Sequence, residues 1–238
     1  MYIDIHSHVI PGIDDGARNE AIALEMLAIA KKSGTGHIIA TPHYVYGNTR
    51  YGFATIIEKC NSLNRLAASA GIDITVYPGC EVFITPELIE LYEQGLIGTL
   101  ADSCYMLVEF PMMSIPPYTD NVLYKLQLKG VIPIIAHPER YTEIQRQPDI
   151  LESFIDRGIL AQVNSGSITG IYGRESKKTA MRLIKEGLVQ FAASDAHSAS
   201  GRNPDMSKAA ALVEKHFGTK TRNELFTFNP LKIINIEI

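Results

Sequence analysis

Seven short runs rich in β-branched residues, at 2–6, 36–41, 74–79, 105–110, 131–136, 159–163 and 189–193, alternate with segments of helical periodicity. The helical segments fall at 18–33, 53–70, 86–94, 119–129, 148–157 and 174–187, and two more, near 205–217 and 221–227, follow the last strand. This alternation constrains the fold most, because parallel neighbours need a crossover connection and a helix supplies it. Gly34, Gly71, Gly95, Gly130, Gly158 and Gly187 stand just past the helical runs, where a left-handed C-terminal residue is wanted. No low-complexity stretch, charge run or Pro/Ser-rich linker divides the chain, so a single domain over 1–238 is expected. Periodicity alone admits either a barrel or an open sheet.

The polar residues tip the balance. Past the strand ends come His6 and His8, His43, Glu81, Glu109, His137, then Asp195 and His197. Six of the seven expected strands thus end in a side chain able to bind a metal, and the other ends in Gln162-Val163-Asn164-Ser165. Parallel barrels build their sites from the C-terminal ends of different strands. An α/β barrel with a site at that end is therefore expected.

Each group has its own chemistry. His6-Ser7-His8 sets two imidazoles on one side of an extended chain. Gly12-Ile13-Asp14-Asp15-Gly16 supplies adjacent carboxylates in a loop, where Asp14 suits the N-cap of the following helix. Thr41-Pro42-His43 and Ala136-His137-Pro138-Glu139-Arg140 place a His directly after an apolar strand, and Ser194-Asp195-Ala196-His197 repeats the alternating pair. Glu109 closes the apolar run Met106-Leu107-Val108, where an unpaired carboxylate would be costly to bury and a cation is the simplest partner. His37 and His216 fall outside this pattern and read as a packing residue and a solvated helix residue.

Composition removes other classes. Lys+Arg 22 against Asp+Glu 26 leaves a net charge of -4, which excludes a basic nucleic-acid surface over the whole fold but not a local anion site. No apolar run approaches the ~18 residues of a membrane span, and the N-terminus lacks a signal-peptide pattern. Cys60, Cys80 and Cys104 are odd in number and widely spaced, which argues against a disulfide framework; a cytoplasmic enzyme is expected. A cysteine phosphatase needs an Arg six residues past its thiolate, and those positions hold Leu66, Pro86 and Phe110. No G-x-x-x-x-G-K-[ST] phosphate loop is present.

The HxH opening, DDG, TPH, the strand-end Glu pair, AHPER and SDAH together resemble the polymerase and histidinol phosphatase (PHP) superfamily. Within it the chain is similar to the bacterial manganese-dependent protein-tyrosine phosphatases of capsule and exopolysaccharide operons, from Met1 to about Pro230. The resemblance implies a distorted (β/α)7 barrel with a trinuclear metal centre, filled by Mn²⁺ with Fe²⁺ or Zn²⁺ possible in some sites. It implies that His6 and His8 bind a first metal with Asp195, that Glu81 bridges to a second completed by Glu109 and His137, and that Asp15, His43 and His197 hold a third. Arg140 and Arg202 match the family's phosphate-binding arginines, while Tyr44 stands where several relatives carry a second His. The implied substrate is a phosphotyrosine protein, the tyrosine-rich tail of a bacterial tyrosine kinase that controls polysaccharide export.

Elementary chemistry agrees with these implications. The nine ligands offer only nitrogen and oxygen, which favours Mn²⁺, Fe²⁺ or Zn²⁺ over soft-metal sites. Four carboxylates against three divalent ions leave the centre at about +2, attractive to a phosphate dianion. Bound metals lower the pKa of water from about 15.7 to as little as ~7, giving a hydroxide nucleophile at neutral pH. Amidohydrolase barrels also open with HxH but bridge metals with a strand-end Lys, and no expected strand ends in Lys. Histidinol-phosphate phosphatase is the alternative within the superfamily, and a metal-stabilised kinase-binding protein without turnover is the alternative from another class. Tyr44, Tyr46, Tyr51, Phe53 and Phe83, with Met112, Met113, Ile115 and Tyr118, are expected near the site mouth, where some could flank a phosphotyrosine ring.

Overall fold

The computed structural model describes residues 1–235, and every strand pairing among them is parallel. Strand β1 (Tyr2–Ser7) leads through helix α1 (Glu20–Lys32) to β2 (Thr35–Ala40) and β3 (His43–Tyr44). Helix α2 (Phe53–Ser69) precedes β4 (Thr75–Pro78) and β5 (Glu81–Phe83); α3 (Leu88–Glu93) precedes β6 (Tyr105–Glu109); α4 (Thr119–Leu128) precedes β7 (Ile132–Ala136). Two short helices, α5 (Thr142–Arg146) and α6 (Asp149–Ile155), lead to β8 (Leu160–Asn164), then α7 (Ser165–Thr169), α8 (Arg174–Lys185) and β9 (Phe191–Ala193). The chain closes with α9 (Ser207–Asn223), a π-helical turn at Glu224–Phe228 and α10 (Asn229–Ile233).

The helices follow their apolar periodicity. In α8 the buried positions are Ser176, Thr179, Ala180, Leu183 and Ile184, one face at helical spacing. All six glycines expected past helices have positive φ, from 67° at Gly95 to 97° at Gly34. Helix α1 is capped by Asn19, whose side chain accepts from Ile22 N at 3.0 Å, so the expectation of Asp14 as its cap is corrected. The helix expected at 221–227 is instead the end of α9, broken at Gly218, and the π-helical turn that follows it.

Two expected strands, 36–41 and 74–79, are each followed after a short gap by a second strand that was not expected. The chain leaves β2 at Ala40 and resumes at His43, and leaves β4 at Pro78 and resumes at Glu81. Pro42, in the first gap, has no N–H for a ladder. Gly79, in the second, has no space for a side chain: a Cβ there would lie 2.7 Å from Ile39 Cγ2. The breaks divide the strands into a three-stranded sheet, β1-β2-β4, and a six-stranded sheet, β3-β5-β6-β7-β8-β9. They also make His43 and Glu81 direct register partners.

The outer strands β1 and β9 meet through a parallel bridge between Ser7 and Ala196, flanked by His8 N to Ala196 O and Asp195 N to His6 O, both 2.8 Å. Side chains from both sheets share a core: Ile3 and Ile5, Ile39, Leu107, Ile134, Phe191 and Ala193 pack together with Leu231 and Ile233 of α10. Each large aliphatic side chain so buried contributes about 1.5–3 kcal/mol. Strand β7 is apolar on both faces, with Ile134, Ile135 and Ala136 fully buried, as expected of a parallel sheet covered on both sides.

Candidate metal centre

His6 ends its strand fully buried, and His8 follows it, also fully buried, with the two Nε2 atoms 3.3 Å apart. The other ring nitrogen of each is occupied: His6 Nδ1 lies 2.8 Å from Gln162 Oε1, and His8 Nδ1 lies 2.7 Å from Asp14 Oδ2. Both rings therefore aim Nε2 at the same point. Glu81 Oε2 stands there, 3.2 Å from His6 Nε2, 3.4 Å from His8 Nε2 and 2.9 Å from His43 Nδ1. It is buried and forms no hydrogen bond of acceptable geometry. Atoms held about 2.1 Å from one ion at tetrahedral or octahedral angles stand about 3.0–3.4 Å apart, so this spacing fits a shared cation.

The remaining ligands extend the cluster. His137 Nε2 is 3.0 Å from Glu81 Oε1 and 3.6 Å from Glu109 Oε1. Asp195 Oδ1 is 3.5 Å from both His6 Nε2 and His197 Nδ1. Asp15 Oδ1 is 3.3 Å from His197 Nε2 and 3.6 Å from His43 Nε2. All nine residues proposed from the sequence thus lie in one pocket. Donor atoms of seven of them form three overlapping groups, His8-Asp15-His43-His197, His6-His8-Glu81 and His43-Glu81-Glu109, which His137 and Asp195 flank through Glu81 and His6. The pocket is graded in exposure: the Glu81 side chain is 0% exposed and that of Asp15 is 65%.

Protonation follows from this crowding. Burial opposes the Glu81 charge, but the charges and hydrogen bonds of the surrounding histidines hold its carboxyl well below the usual range. Burial and the charge of Glu81 push Glu109 up to about 7. Burial works against a charged His8, yet Asp14 and Glu81 raise it to about 10. Asp14 is lowered to about 2, because its bonds from His8 and Gly16 outweigh its burial. Burial and the nearby His8 charge lower His197 to about 3. Protons and divalent cations compete for these lone pairs.

Two guanidiniums reach the cluster. Arg202 Nη2 donates to Asp195 Oδ1 at 2.7 Å, and Arg140 Nη1 donates to Asp195 Oδ2 at 3.2 Å. Tyr172 lies against both, its ring centroid 4.7 Å from Arg140 Cζ and 5.7 Å from Arg202 Cζ. Gly166 leaves room for that ring, since a Cβ there would sit 2.7 Å from Tyr172 Cε2.

Backbone strain marks the same place. His137 has φ 34° and ψ 54°, and Asp195 has φ 52°, left-handed conformations costing on the order of 1–3 kcal/mol each for non-glycine residues. His137 directly follows β7 and Asp195 lies two residues past β9, where the turn swings the side chain into the cluster. The glycine of the DDG loop has a different reason: a Cβ on Gly16 would fall 2.1 Å from His8 O, so the loop can approach His8 only without one.

Several functional side chains were not anticipated. Asp14 orients His8, Gln162 and Asn164 sit behind His6 and Asp195, and Glu139 accepts from Asn164 N at 3.0 Å and Ser167 Oγ at 2.5 Å. The signal available for Gln162 and Asn164 was their alternation in an otherwise apolar strand. The residues expected near the site mouth divide. Tyr44 is buried in the core, and Tyr51 and Phe53 pack against that core. The Tyr51 hydroxyl donates to His43 O, whereas Tyr46 and Met113 are exposed. His37 faces Tyr77, and His216 is exposed on α9. Cys80 is buried, and burial pushes its thiol up to about 12, as an inert thiol requires.

Fold and site together define a class: parallel α/β proteins that gather imidazoles and carboxylates at the ends of their strands into a cluster able to bind metal. The chain belongs to the capsular polysaccharide synthesis CpsB/CapC family, whose model matches residues 2–235. It is 39% identical over 218 residues to the tyrosine-protein phosphatase YwqE of Bacillus subtilis, covering 92% of this chain and 86% of that protein. It is 32% identical to the tyrosine-protein phosphatase CpsB of Streptococcus pneumoniae, covering 98% of each. Among solved structures, one described as YwqE from Bacillus subtilis and CpsB from Streptococcus pneumoniae, metal-dependent tyrosine phosphatases, superposes with a TM-score of 0.95 at 37% identity. That match covers 99% of this chain and 95% of the other. A D-hydantoinase matches at a TM-score of 0.55 and 12% identity, a likeness of fold alone.

Proposed function

We propose that this chain is a metal-dependent protein-tyrosine phosphatase of capsule or exopolysaccharide synthesis. The observation that carries the reading is the buried Glu81 carboxylate surrounded by imidazoles, with two guanidiniums meeting at the neighbouring Asp195. Family membership and the named activities of YwqE and CpsB support it. The architecture is a distorted (β/α)7 barrel forming one domain, a reading supported by the Ser7–Ala196 bridge and by the core shared between the sheets.

His6, His8 and Asp195 would hold one cation, Glu81, Glu109 and His137 would hold a second, and Asp15, His43 and His197 would hold a third. Mn²⁺ is the expected occupant, with Fe²⁺ or Zn²⁺ compatible with the same nitrogen and oxygen donors. Such cations supply Lewis acidity, offsetting phosphate charge and acidifying water so that it attacks at neutral pH. The protein's own residues do the positioning. Arg140 and Arg202 turn from Asp195 toward the phosphate oxygens, where charge-assisted bonds strengthen as charge spreads in the transition state. Tyr172 keeps both guanidiniums at the mouth through its ring face.

Tyrosine, with a phenol pKa near about 10, leaves more readily than an alkyl alcohol, so aryl phosphates are preferred. The natural substrate is the phosphorylated tyrosine-rich tail of a bacterial tyrosine kinase. No helix among the described residues is long and apolar enough to cross a membrane, and all three cysteines are free.

The test is side-by-side turnover of matched phosphotyrosine, phosphoserine and histidinol-phosphate substrates, after chelation and again after reconstitution with Mn²⁺. Phosphotyrosine hydrolysis lost on chelation and regained with Mn²⁺ is expected. A preference for histidinol phosphate would move the chain to that activity, and metal binding without turnover would leave it a binding protein.

A further inference from the structure

Strand β8 supplies none of the nine proposed ligands, yet it carries two fully buried amides, Gln162 and Asn164. Their contacts run in one direction. Asn164 Nδ2 donates to Asp195 Oδ2 at 2.6 Å, Gln162 Nε2 donates to Asn164 Oδ1 at 2.8 Å, and Gln162 Oε1 lies 2.8 Å from His6 Nδ1. We propose that Gln162 and Asn164 form a one-way relay that holds His6 with its proton on Nδ1, leaving Nε2 free to bind a cation at a set distance from Asp195. This inference rests on the metal-centre reading above.

The direction follows from Asp195. Its carboxylate, gripped by Arg140 and Arg202, offers only acceptors. Asn164 must therefore present its NH₂ to Asp195, which leaves its oxygen facing Gln162. Gln162 must in turn present its NH₂, which leaves its oxygen facing His6. His6 can answer only with an N–H on Nδ1. Reversing either amide would set two acceptors together, and all four side chains of the chain are buried.

The relay is one half of a closed ring. On the far side of the same two residues, His6 Nε2 and Asp195 Oδ1 stand 3.5 Å apart, a separation suited to two ligands of one ion. Gln162 and Asn164 thus brace the pair from behind. His8 reaches the same tautomer by another route, with a carboxylate, Asp14, on its Nδ1. Oriented imidazole ligands commonly need such a partner, and losing it costs 10- to 100-fold in metal affinity. Both amides are positioning residues.

The test uses the full-length protein labelled with ¹⁵N in its histidines and loaded with Zn²⁺, which is diamagnetic. Long-range ¹H–¹⁵N spectra are expected to place the His6 proton on Nδ1 in the wild type. A proton on Nε2 would overturn the relay without any mutant having to fold. Gln162→Leu and Asn164→Leu, compared by chelator competition, are each expected to bind Zn²⁺ or Mn²⁺ about 10- to 100-fold more weakly, and in Gln162→Leu the His6 Nδ1–H resonance should move upfield and exchange faster as its acceptor is lost. Variants with wild-type affinity and an unchanged His6 Nδ1–H resonance would refute the relay and leave the metal centre intact. A wild-type protein that binds neither ion would instead refute the metal-centre reading, and the relay with it.

Discussion

Replacing Glu81 with Gln removes one charge and almost no volume from the centre of the pocket. Glu81 Oε2 lies within 3.4 Å of nitrogens from His6, His8 and His43, and Oε1 lies 3.0 Å from His137 Nε2. An amide can offer an acceptor to only one of these sides and turns its NH₂ toward the other. Removing one partner of a buried charge interaction costs about 3–5 kcal/mol. At about 1.4 kcal/mol per power of ten, that is roughly two to three and a half decades of affinity at each cation the carboxylate touches. In the proposed bridging role, Glu81 would touch two. Equilibrium dialysis against micromolar Mn²⁺ with elemental analysis should therefore find the bound metal falling from about three ions per chain to about one, retained by Asp15, His43 and His197. Circular dichroism checks that the variant folds. A folded Glu81→Gln protein that keeps the full complement of Mn²⁺ would remove Glu81 from the centre and refute the bridging assignment.

Arg140→Ala and Arg202→Ala should keep their metals but each lose about 1.5–3 kcal/mol of transition-state binding, ten- to a hundredfold in kcat/KM, with poor rescue by Lys; wild-type kinetics in both would refute their role. Tyr172→Ala should raise KM several-fold, as expected from a cation–π contact worth about 0.5–2 kcal/mol, while Tyr172→Phe keeps the ring and stays near wild type. Glu109, raised to about 7, and His8, raised to about 10, carry protons near neutrality that a cation must displace. Apparent Mn²⁺ affinity should consequently rise between pH 6 and 8 with net proton release, measured by calorimetry in two buffers of different ionisation enthalpy; pH-independent affinity with no release would contradict this. Iodoacetamide should spare activity because Cys60 and Cys80 are buried and the site uses no thiolate, so inactivation by alkylation but not by a chelator would sink the mechanism.

Although the nine-ligand set was implied only by the family resemblance, the order of the main strands and helices, the helix-ending glycines and the polar residues past the strand ends could be read from the chain itself. They depend on local rules: apolar periodicity, the positive φ that favours Gly, and the cost of leaving a carboxylate such as Glu109 at the end of an apolar strand. Tertiary structure decided which second residue stands behind each ligand. Asp14 looked like a helix cap because an Asp before a helix usually is one; here the loop folds back over Gly16 and delivers the carboxylate to His8 instead. Tyr44 looked like a rim residue because it follows His43, but the broken strand turns it into the core. Gln162 and Asn164 gained a role only when β8 came between β7 and β9, bringing them to His6 and Asp195 from distant parts of the chain. A ligand is recognisable by residue type and strand position, whereas its hydrogen-bond partner depends on a contact between segments up to 156 residues apart, and no local pattern encodes that distance.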